Sequence, residues 1–442
     1  MRPAAAAEKL GIPSVVVTTT GFTAIAKAAG KAQGITGLRV AEYPGAVGVH
    51  NEALVEKNVE TVLIDRIISE LTAPRRADGE EPSSTERRPD AIVFEGSFDE
   101  INEHFREQLW SDELPVVPPT PARVEAFLKH TKRAPDEHIA ILPQANLAAT
   151  PRNIAANAVM AGCKPEYFPL FMLAIEAMCE EKFNLYGIQA TTHMVAPLVI
   201  VNGPIVKELG INGGHNAFGP GVHSNATIGR AIRLALLNIG GAIPKTGDMS
   251  TFGSPEKYSY LVAENEDESP WEPLHVERGF KREQSTVTVV GAEGTMNMHS
   301  YGKNADDILR VFADTLMHGP SNEYVHGGEP WIVLSPEHAE ILHDAGYSKA
   351  DVKRELVRLA TRPVRDVKNR HSIAESHPAH WKHFADANDD ESRVPFIRGV
   401  ERIIITVAGG WGSGSAFSSL CPGWGARRAK PVHRRVEFPA AN

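Results

Sequence analysis

The sequence predicts an α/β protein with a small parallel-sheet domain at its N-terminus and a larger, two-lobed α/β domain after it. Three observations predict this class. Runs of β-branched residues alternate with helical patterns, a polar segment interrupts them at 73–90, and strand–turn–helix units begin at Pro197 and Pro330. A chain of 442 residues is long enough for two or three domains. We therefore expect an N-terminal domain at 1–72, a linker at 73–90 and a catalytic domain at 91–442.

The N-terminal domain is predicted from two strands and a helix. IPSVVVTTT at 12–20 is typical of a buried strand, LRVAEYP at 38–44 of a second strand, and NVETVLIDRIISELT at 58–72 of an amphipathic helix. A doubly wound domain normally opens with a strand, and here a helical pattern comes first. The segment is therefore expected to be a Rossmann-like domain that lacks its first strand.

The large domain contains what looks like an internal repeat. APLVIVNGPIVKELGI at 196–211 and EPWIVLSPEHAEILHDAGYS at 329–348 both give a strand, a turn with proline and the start of a helix. The repeat predicts two equivalent lobes that face each other, although chance similarity of two such units explains the pattern equally well. A ligand is then expected in the crevice between the lobes, at the carboxyl ends of strands.

Composition excludes several classes of function. The net charge is −9, so no overall basic field exists for nucleic acid. The three cysteines have no metal-finger spacing and suit a reducing compartment. No apolar stretch is long enough to span a bilayer, and the N-terminus has no signal-peptide pattern. We expect a cytoplasmic protein that binds neither nucleic acid nor a membrane and that forms a homo-oligomer.

A glycine-rich stretch, GINGGHNAFGPGVHSNATIGR at 210–230, precedes a helical pattern. Backbone N–H groups at the start of a helix attract anions, so the stretch is predicted to hold a carboxylate or phosphate of a small substrate. A compact structural loop is the alternative. The residues assigned to substrate binding here are Gly214, Asn216, Gly221, Asn225 and Arg230.

Histidines near this loop offer a second kind of site. His193 follows Thr192 in QATTHMVAP, and Thr192 is assigned to substrate binding beside it. Together with His215 and His223, His193 is a candidate for a three-imidazole site for a divalent metal. Single hydrogen-bonding histidines are the alternative, because the HxH and HxxxH spacings are missing. No other cofactor is indicated.

An acidic segment, AENEDESPWEPLHVERGF at 263–280, mixes carboxylates with tryptophan and proline. A carboxylate packed against apolar groups has a raised pKa and can act as general acid or base, so Glu264 and Glu266 are predicted to be catalytic. Trp271 and Arg278 are assigned to the substrate. Cys421, in SSLCPGWG, is a candidate nucleophile.

Several of these stretches resemble the UGSC family of selenoproteins and their cysteine homologues. The N-terminal resemblance lies in GIPSVVVTTTGF, LRVAEYPGAVGVHN and NVETVLIDRIISELT. AANAVMAGCKPEYFP, GIQATTH, NATIGRA and ENEDESPWEPLHVERGF are similar to the region that accompanies it in longer members. The resemblance implies thiol or selenol redox chemistry at a motif upstream of the first helix. The sequence contains no such motif, so either the chain is truncated at an alternative start or the redox half has decayed while the large domain works. The second possibility places the chemistry in the large domain.

These observations lead to one main expectation and two alternatives. The main expectation is an enzyme acting on a small anionic substrate by acid–base chemistry of His193 with Glu264 or Glu266, of the hydrolase or lyase type, with or without a metal ion. The first alternative is a thiol-dependent oxidoreductase that uses Cys421. The second is a non-catalytic partner subunit.

Overall fold

The computed structural model describes most of the chain, with gaps. The described residues are 2–23, 26–27, 30, 35, 37–45, 47, 50–74, 91–300, 304–317, 330–368, 390–397, 399–412, 417–421 and 429–437. The predicted linker at 73–90 lies outside them from residue 75 onward.

The N-terminal segment forms the small parallel sheet that the sequence predicts. Strand β1 (Val15–Thr19) follows helix α1 (Arg2–Lys9) and pairs in parallel with β2 (Arg39–Tyr43). Helices α2 (Glu52–Asn58) and α3 (Ile64–Thr72) are joined by a π-helical turn and contact β2. β1 is half-exposed, since Val16 is buried and Val17 is 51% exposed.

A helical layer opens the large domain. Helix α4 (Phe98–Glu107) begins at a capping box in which Ser97 and Glu100 bond each other's backbone N–H groups. Four further helices and a short hairpin follow before the first large sheet. They are α5 (Pro121–Leu128), β3 (Ala140–Leu142), β4 (Leu147–Ala149), α6 (Pro151–Met160), α7 (Phe168–Met178) and α8 (Leu185–Ala190).

The first lobe is built on a four-stranded mixed sheet. Its strands are β5 (Ala196–Asn202), β6 (Leu261–Ala263), β7 (Thr286–Ala292) and β14 (Val432–Arg435), in the order β14-β7-β5-β6. β5 is parallel to β6 and antiparallel to β7, which is antiparallel to β14. Between β5 and β7 the chain also forms α9 (Ile205–Glu208), α10 (His223–Asn238) and α11 (Leu274–Glu277).

The second lobe has a sheet of the same size. Its strands are β8 (Met296–Ser300), β9 (Trp331–Leu334), β12 (Ile404–Val407) and β13 (Phe417–Cys421), in the order β12-β9-β13-β8. Its helices are α12 (Ala305–Leu316), α13 (Pro336–Asp344) and α14 (Lys349–Leu359). Strand β10 (Thr361–Pro363), helix α15 (Val364–Lys368) and strand β11 (Arg393–Pro395) complete the described elements.

The two sheets pack face to face, with helices on their outer faces. Side chains alternate along a strand, so β5 sends Leu198 and Ile200 to the space between the sheets, and Val199 and Val201 to the helices of its own lobe. On the facing strand β9, Trp331 lies between the sheets. The result is a four-layer arrangement of helices, sheet, sheet and helices.

Strand order supports the internal repeat. β5, β6 and β7 have the same neighbours and directions in their sheet as β9, β12 and β13 have in theirs. The fourth strand of each sheet comes from the other half of the chain: β8 follows β7 but joins the second lobe, and β14 follows β13 but joins the first. The two lobes therefore share their edge strands reciprocally.

None of the described helices is both long enough and apolar enough to cross a membrane.

Candidate functional site

The predicted catalytic residues lie at opposite ends of strand β5. His193 precedes Ala196 at one end, whereas the backbone N–H of Glu264 donates to Val201 at the other. A strand rises about 3.3 Å per residue, so the six steps from Ala196 to Asn202 span about 20 Å. The prediction that His193 and Glu264 or Glu266 share one hollow is therefore wrong, because the strand between their segments holds them apart.

Glu264 is the centre of a buried polar cluster between the lobes. Its Oε2 accepts from Asn202 Nδ2 at 2.6 Å and from the Leu274 backbone N–H at 2.7 Å. Its Oε1 lies 3.6 Å from Lys349 Nζ, on the first turn of α14. Burial raises the pKa of Glu264, and the nearby Lys349 charge offsets part of that rise.

The cluster continues toward the surface through a second carboxylate and a second lysine. Glu277 Oε1 lies 2.6 Å from Lys353 Nζ, and Glu277 Oε2 lies 3.7 Å from Lys349 Nζ. Burial opposes the charge of Glu277, but Lys353 outweighs it and lowers the pKa of Glu277; burial lowers the pKa of Lys353. These pairs join α11 of one lobe to α14 of the other.

Glu266 accepts one hydrogen bond from the backbone and one from a side chain in this cluster. Its Oε1 accepts from Gly203 N–H at 2.7 Å and from Asn202 Nδ2 at 3.0 Å, and it lies 3.7 Å from His275 Nδ1. The arrangement holds the acidic segment 264–277 between the lobes. The structure thus places Glu264 in a buried ion pair with Lys349, and Glu266, which is 19% exposed, against the Asn202 side chain and the Gly203 backbone.

The glycine-rich loop runs along β6, the edge strand of the first sheet. A Cβ on Gly213 would lie 2.5 Å from the Ala263 carbonyl oxygen, so the backbone approaches too closely for a larger residue. The Gly213 carbonyl accepts from Gly409 of the other lobe at 2.8 Å, and Asn225 Nδ2 donates to the Leu261 carbonyl at 3.2 Å. The atoms that approach the first half of this loop therefore belong to the backbone of β6 and of the second lobe.

Several residues assigned to the substrate are used inside the fold instead. Arg230 binds Asp112 through two hydrogen bonds of 2.8 and 2.9 Å. Asn225 bonds the backbone of Asn212 at 2.8 and 2.9 Å. Helix α10 begins at His223, so Arg230 lies two turns inside it, facing the segment before α5. The anion-binding role of Arg230 is therefore corrected to a structural one, whereas Asn225 both bonds this backbone and lines a hollow.

The remaining loop and segment residues are placed as follows. The Gly214 N–H donates to Asn212 Oδ1 at 2.9 Å, and Asn216 bonds the Pro220 carbonyl, so part of the loop's polar backbone is satisfied within the loop. Gly221 has φ +122°, a conformation that favours glycine. Trp271 Nε1 donates to the Tyr347 carbonyl at 2.9 Å. Arg278 lies 4.0 Å from Glu277, at the rim of the polar cluster.

The three histidines do not form a metal site. His193 contacts Glu293, and His223 Nδ1 lies 3.5 Å from the Tyr167 hydroxyl. A Cβ on Gly410 would lie 2.2 Å from the His215 ring, which packs on that backbone. Among the described residues, no group of three His, Cys, Asp or Glu side chains is placed to hold a metal ion.

A hollow does exist beside the second half of the glycine-rich loop. Its cavity volume is about 280 Å³, close to the lower end of the range for small-molecule pockets. We call it the glycine-loop pocket. Its walls are Ala217, Phe218, Gly219, Pro220, Asn225, Ala226, Pro255, Glu256, Ser259, Tyr260, Leu261 and Thr295.

His193 lies at the same end of the sheet as the glycine-loop pocket. Its Nδ1 is 3.2 Å from Glu293 Oε1, and its side chain is 38% exposed. Tyr260 lines the pocket and donates its hydroxyl to the Glu293 carbonyl at 3.1 Å. The Thr192 carbonyl accepts from Thr251 N–H at 2.9 Å, which fixes the loop that carries His193. Tyr260 thus links the wall of the pocket to the backbone of Glu293, whose side chain contacts His193.

Glu256 supplies a second carboxylate to this pocket. Its Oε1 accepts from Thr295 N–H at 3.2 Å, while its Oε2 is buried and has no hydrogen-bond partner among the described residues. Burial, with Glu256 adding to it, raises the pKa of Tyr260 well above its usual value. Tyr260 therefore stays a neutral hydrogen-bond donor.

A narrow pocket adjoins the glycine-loop pocket and shares Glu256 and Tyr260 with it. Its cavity volume is about 20 Å³. Its charged lining residues are Arg233, Asp248, Glu256 and Lys257. Burial lowers the pKa of both Arg233 and Lys257.

The cysteines differ in their relation to this site. Burial raises the pKa of Cys163 and Cys179 to about 12, so both thiols are protonated core groups. Cys421 is 3% exposed on β13 and packs in the core of the second lobe.

Sequence reasoning missed most of the charged residues around the two pockets. Glu293 follows β7, and only the antiparallel pairing of Ala292 with Ala196 brings it beside His193. Glu256 and Lys257 lie in the polar loop KTGDMSTFGSPEKYS at 245–259. Its length and its many polar residues are the signal that could have identified it as a binding loop.

In the comparison with known proteins, a family model matches the N-terminal segment. No curated protein gives a significant match. The model of the UGSC family matches residues 1–73, where the parallel β1–β2 sheet lies, and the two-lobed domain is outside this match. The resemblance noted in the N-terminal motifs is therefore confirmed: this chain carries a UGSC family segment at residues 1–73.

Proposed function

We propose that the protein is an enzyme that moves a proton on a small anionic substrate held in the glycine-loop pocket, in a hydrolase- or lyase-type reaction. The single observation that carries the proposal is the adjacency of the His193–Glu293 pair to this pocket through Tyr260. Glu256, rather than Glu264 or Glu266, supplies the carboxylate beside the substrate.

His193 would act as the general base. A carboxylate at 3.2 Å from Nδ1 holds the imidazole in one orientation and favours the tautomer with its proton on Nδ1. Nε2 is then the basic nitrogen. The side chain is 38% exposed, so a substrate proton can approach it.

Glu256 would act on the substrate from the pocket wall. Its Oε2 lacks a hydrogen-bond partner within the described part of the chain, although it is buried. A buried acceptor of this kind is stabilised by a ligand that donates to it. Glu256 would thereby orient the substrate while His193 takes a proton.

The anionic character of the substrate is supported by the neighbouring narrow pocket. Arg233 and Lys257 line it, at 14% and 13% exposure, but Lys257 is neutralised by Asp248 at 2.7 Å, whereas Arg233 lies 3.5 Å from that carboxylate. The buried Arg233 guanidinium beside a ligand pocket favours a negatively charged ligand.

The test compares three variants on a panel of small carboxylic acids, amides and esters followed by NMR. His193→Asn removes the base, and general-base loss costs about 10²–10⁴-fold in rate. Glu293→Gln keeps the shape but changes the tautomer, so we expect a loss in the same direction. The control is His343→Asn, an exposed histidine on α13 that pairs with Asp344. Equal turnover in folded His193→Asn and control protein would remove the proposal.

A thiol-dependent oxidoreductase using Cys421 is the second candidate. Its basis is the position of Cys421 in the glycine- and proline-rich segment SSLCPGWG, although this side chain packs in the core of the second lobe. Cys421→Ser would then abolish a thiol-dependent reduction and His193→Asn would not. If the panel and a thiol assay both show no turnover, a non-catalytic partner subunit becomes the better explanation.

The proposal includes a cytoplasmic homo-oligomer. Cysteine usage suits a reducing compartment, and β1 leaves Val17 half-exposed on the small sheet. Light scattering coupled to gel filtration tests the oligomer, and a monomer at micromolar concentration would contradict it.

A further inference from the structure

We propose that the narrow pocket binds the carboxylate of a small acid that carries a hydroxyl or amino group on the carbon next to the carboxylate. This inference rests on the proposed function for the reaction that follows, but it concerns binding alone. It names the substrate class through Arg233, Lys257, Asp248 and Glu256, none of which the sequence had assigned to a site.

Lys257 and Asp248 form a closed ion pair at the base of this pocket. Lys257 Nζ lies 2.7 Å from both carboxylate oxygens of Asp248, and Asp248 is 7% exposed. Such a pair neutralises itself and fixes the position of both side chains. It therefore neither attracts nor repels an incoming anion strongly.

Arg233 is the cation left for a ligand. Its Nη1 lies 3.5 Å from Asp248 Oδ2, the outer limit of a hydrogen bond, and this is its polar contact among the described residues. A guanidinium carries five N–H donors in a planar fork that matches a carboxylate. Burial lowers the pKa of Arg233, a sign that its charge is incompletely compensated.

Glu256 specifies the second group of the ligand. Its buried Oε2 is an acceptor without a partner in the described part of the chain, and it lines the same pocket as Arg233. A second bare carboxylate would be repelled there, whereas a hydroxyl or amino group would donate to it. The two features together favour a carboxylate beside Arg233 and a hydrogen-bond donor beside Glu256.

The size of the pocket limits what can enter. The cavity volume of about 20 Å³ leaves room for little more than one water molecule, because a cavity needs roughly 10–15 Å³ to hold one. A planar carboxylate fits this space better than a tetrahedral phosphate. The rest of the substrate would extend past Glu256 and Tyr260 into the glycine-loop pocket, toward His193 and Glu293.

The experiment measures binding by ligand-observed NMR in His193→Asn protein, so that turnover plays no part. The probes are glycolate, acetate, glycolamide and inorganic phosphate at millimolar concentrations. Glycolate has both groups, acetate lacks the donor, and glycolamide lacks the charge. We expect glycolate to bind more tightly than each of the others. Glycolamide or phosphate binding as tightly as glycolate, or no glycolate binding, would overturn the inference.

Variants locate the site. Arg233→Gln is expected to weaken glycolate binding about tenfold to a hundredfold, as loss of charge-assisted hydrogen bonds does. The matched control is Arg310→Gln, whose arginine is 60% exposed and pairs with Asp306 on α12. Glu256→Gln should reduce the preference for glycolate over acetate. Equal glycolate affinity in the Arg233 and Arg310 variants would refute the site even if His193 proves catalytic.

If Arg233→Gln does not fold, the four probes on the His193→Asn protein still decide the ligand class. Lys257→Gln, checked first by thermal unfolding, then replaces it as the local variant. Failure of the catalytic proposal would appear as unchanged turnover in His193→Asn, with glycolate binding preserved. Failure of this inference would appear in the binding data alone.

Discussion

Replacing Arg230 with methionine separates a structural role from a substrate-binding role. Arg230 Nε and Nη2 donate to the two Asp112 oxygens at 2.9 and 2.8 Å, and Nη2 also donates to the Leu114 and Pro115 carbonyls at 3.1 and 2.9 Å. The side chains are 16% and 3% exposed. Removing one partner of a buried pair leaves an uncompensated charge.

We expect Arg230→Met to lower the free energy of unfolding by about 3–5 kcal/mol, the usual cost of breaking a buried pair. The measurement is denaturant unfolding followed by circular dichroism and tryptophan fluorescence. Adding Asp112→Asn should restore part of the loss, since it removes the stranded charge. Arg310→Met is the control, with an exposed pair worth about 0–1 kcal/mol.

The reasoning fails if Arg230→Met costs less than about 1 kcal/mol, the range of an exposed pair. It also fails if the double variant is as unstable as the sum of the single variants, because paired groups are coupled. Either result would return Arg230 to the list of groups available to a ligand.

Three further predictions concern the interior. Burial raises the pKa of Glu264, so the folded state binds the proton of this carboxyl more tightly than the unfolded state does. The free energy of unfolding should therefore fall as pH rises from about 4.3 through the raised folded pKa, and Glu264→Gln should make this pH dependence weaker in denaturant unfolding. Gly229→Ala should cost about 1–3 kcal/mol in thermal unfolding, because a Cβ would lie 2.2 Å from Ser259 Oγ and 2.8 Å from Tyr260 N; an unchanged midpoint would contradict it. Cys421 is 3% exposed and should react with iodoacetamide much more slowly in native than in denatured protein, as read by mass spectrometry; equal rates would contradict its burial.

Local signals predicted much of the fold because they act within a few residues. Thr150 accepts from Asn153 N–H and caps α6, as its Thr-Pro start indicates. The strands predicted at Pro197 and Pro330 are β5 and β9. Each lies inside its sheet, with a parallel strand on one side and an antiparallel strand on the other. The strand shared between the lobes could not be predicted, because β14 pairs with β7 across more than a hundred residues of chain.

The candidate site was predicted only in part, for a similar reason. The second half of the glycine-rich loop and His193 do lie at one end of the sheet, but the first half runs beside Ala263, and Glu264 lies at the other end. Sequence distance does not reveal which end of a strand a loop occupies. Glu293, a hundred residues after His193, becomes its partner only through the register of β5 with β7.

The return of β14 to the first sheet has a consequence for how the large domain can come apart. The second sheet is continuous along the chain from β8 to β13, whereas the first sheet is completed only by β14, which follows the whole second lobe. A chain that ended before β14 would carry an open sheet edge on β7 until another copy supplied the missing strand. The stability of the first lobe should therefore depend on the far end of the chain, and removal of β14 should lower it.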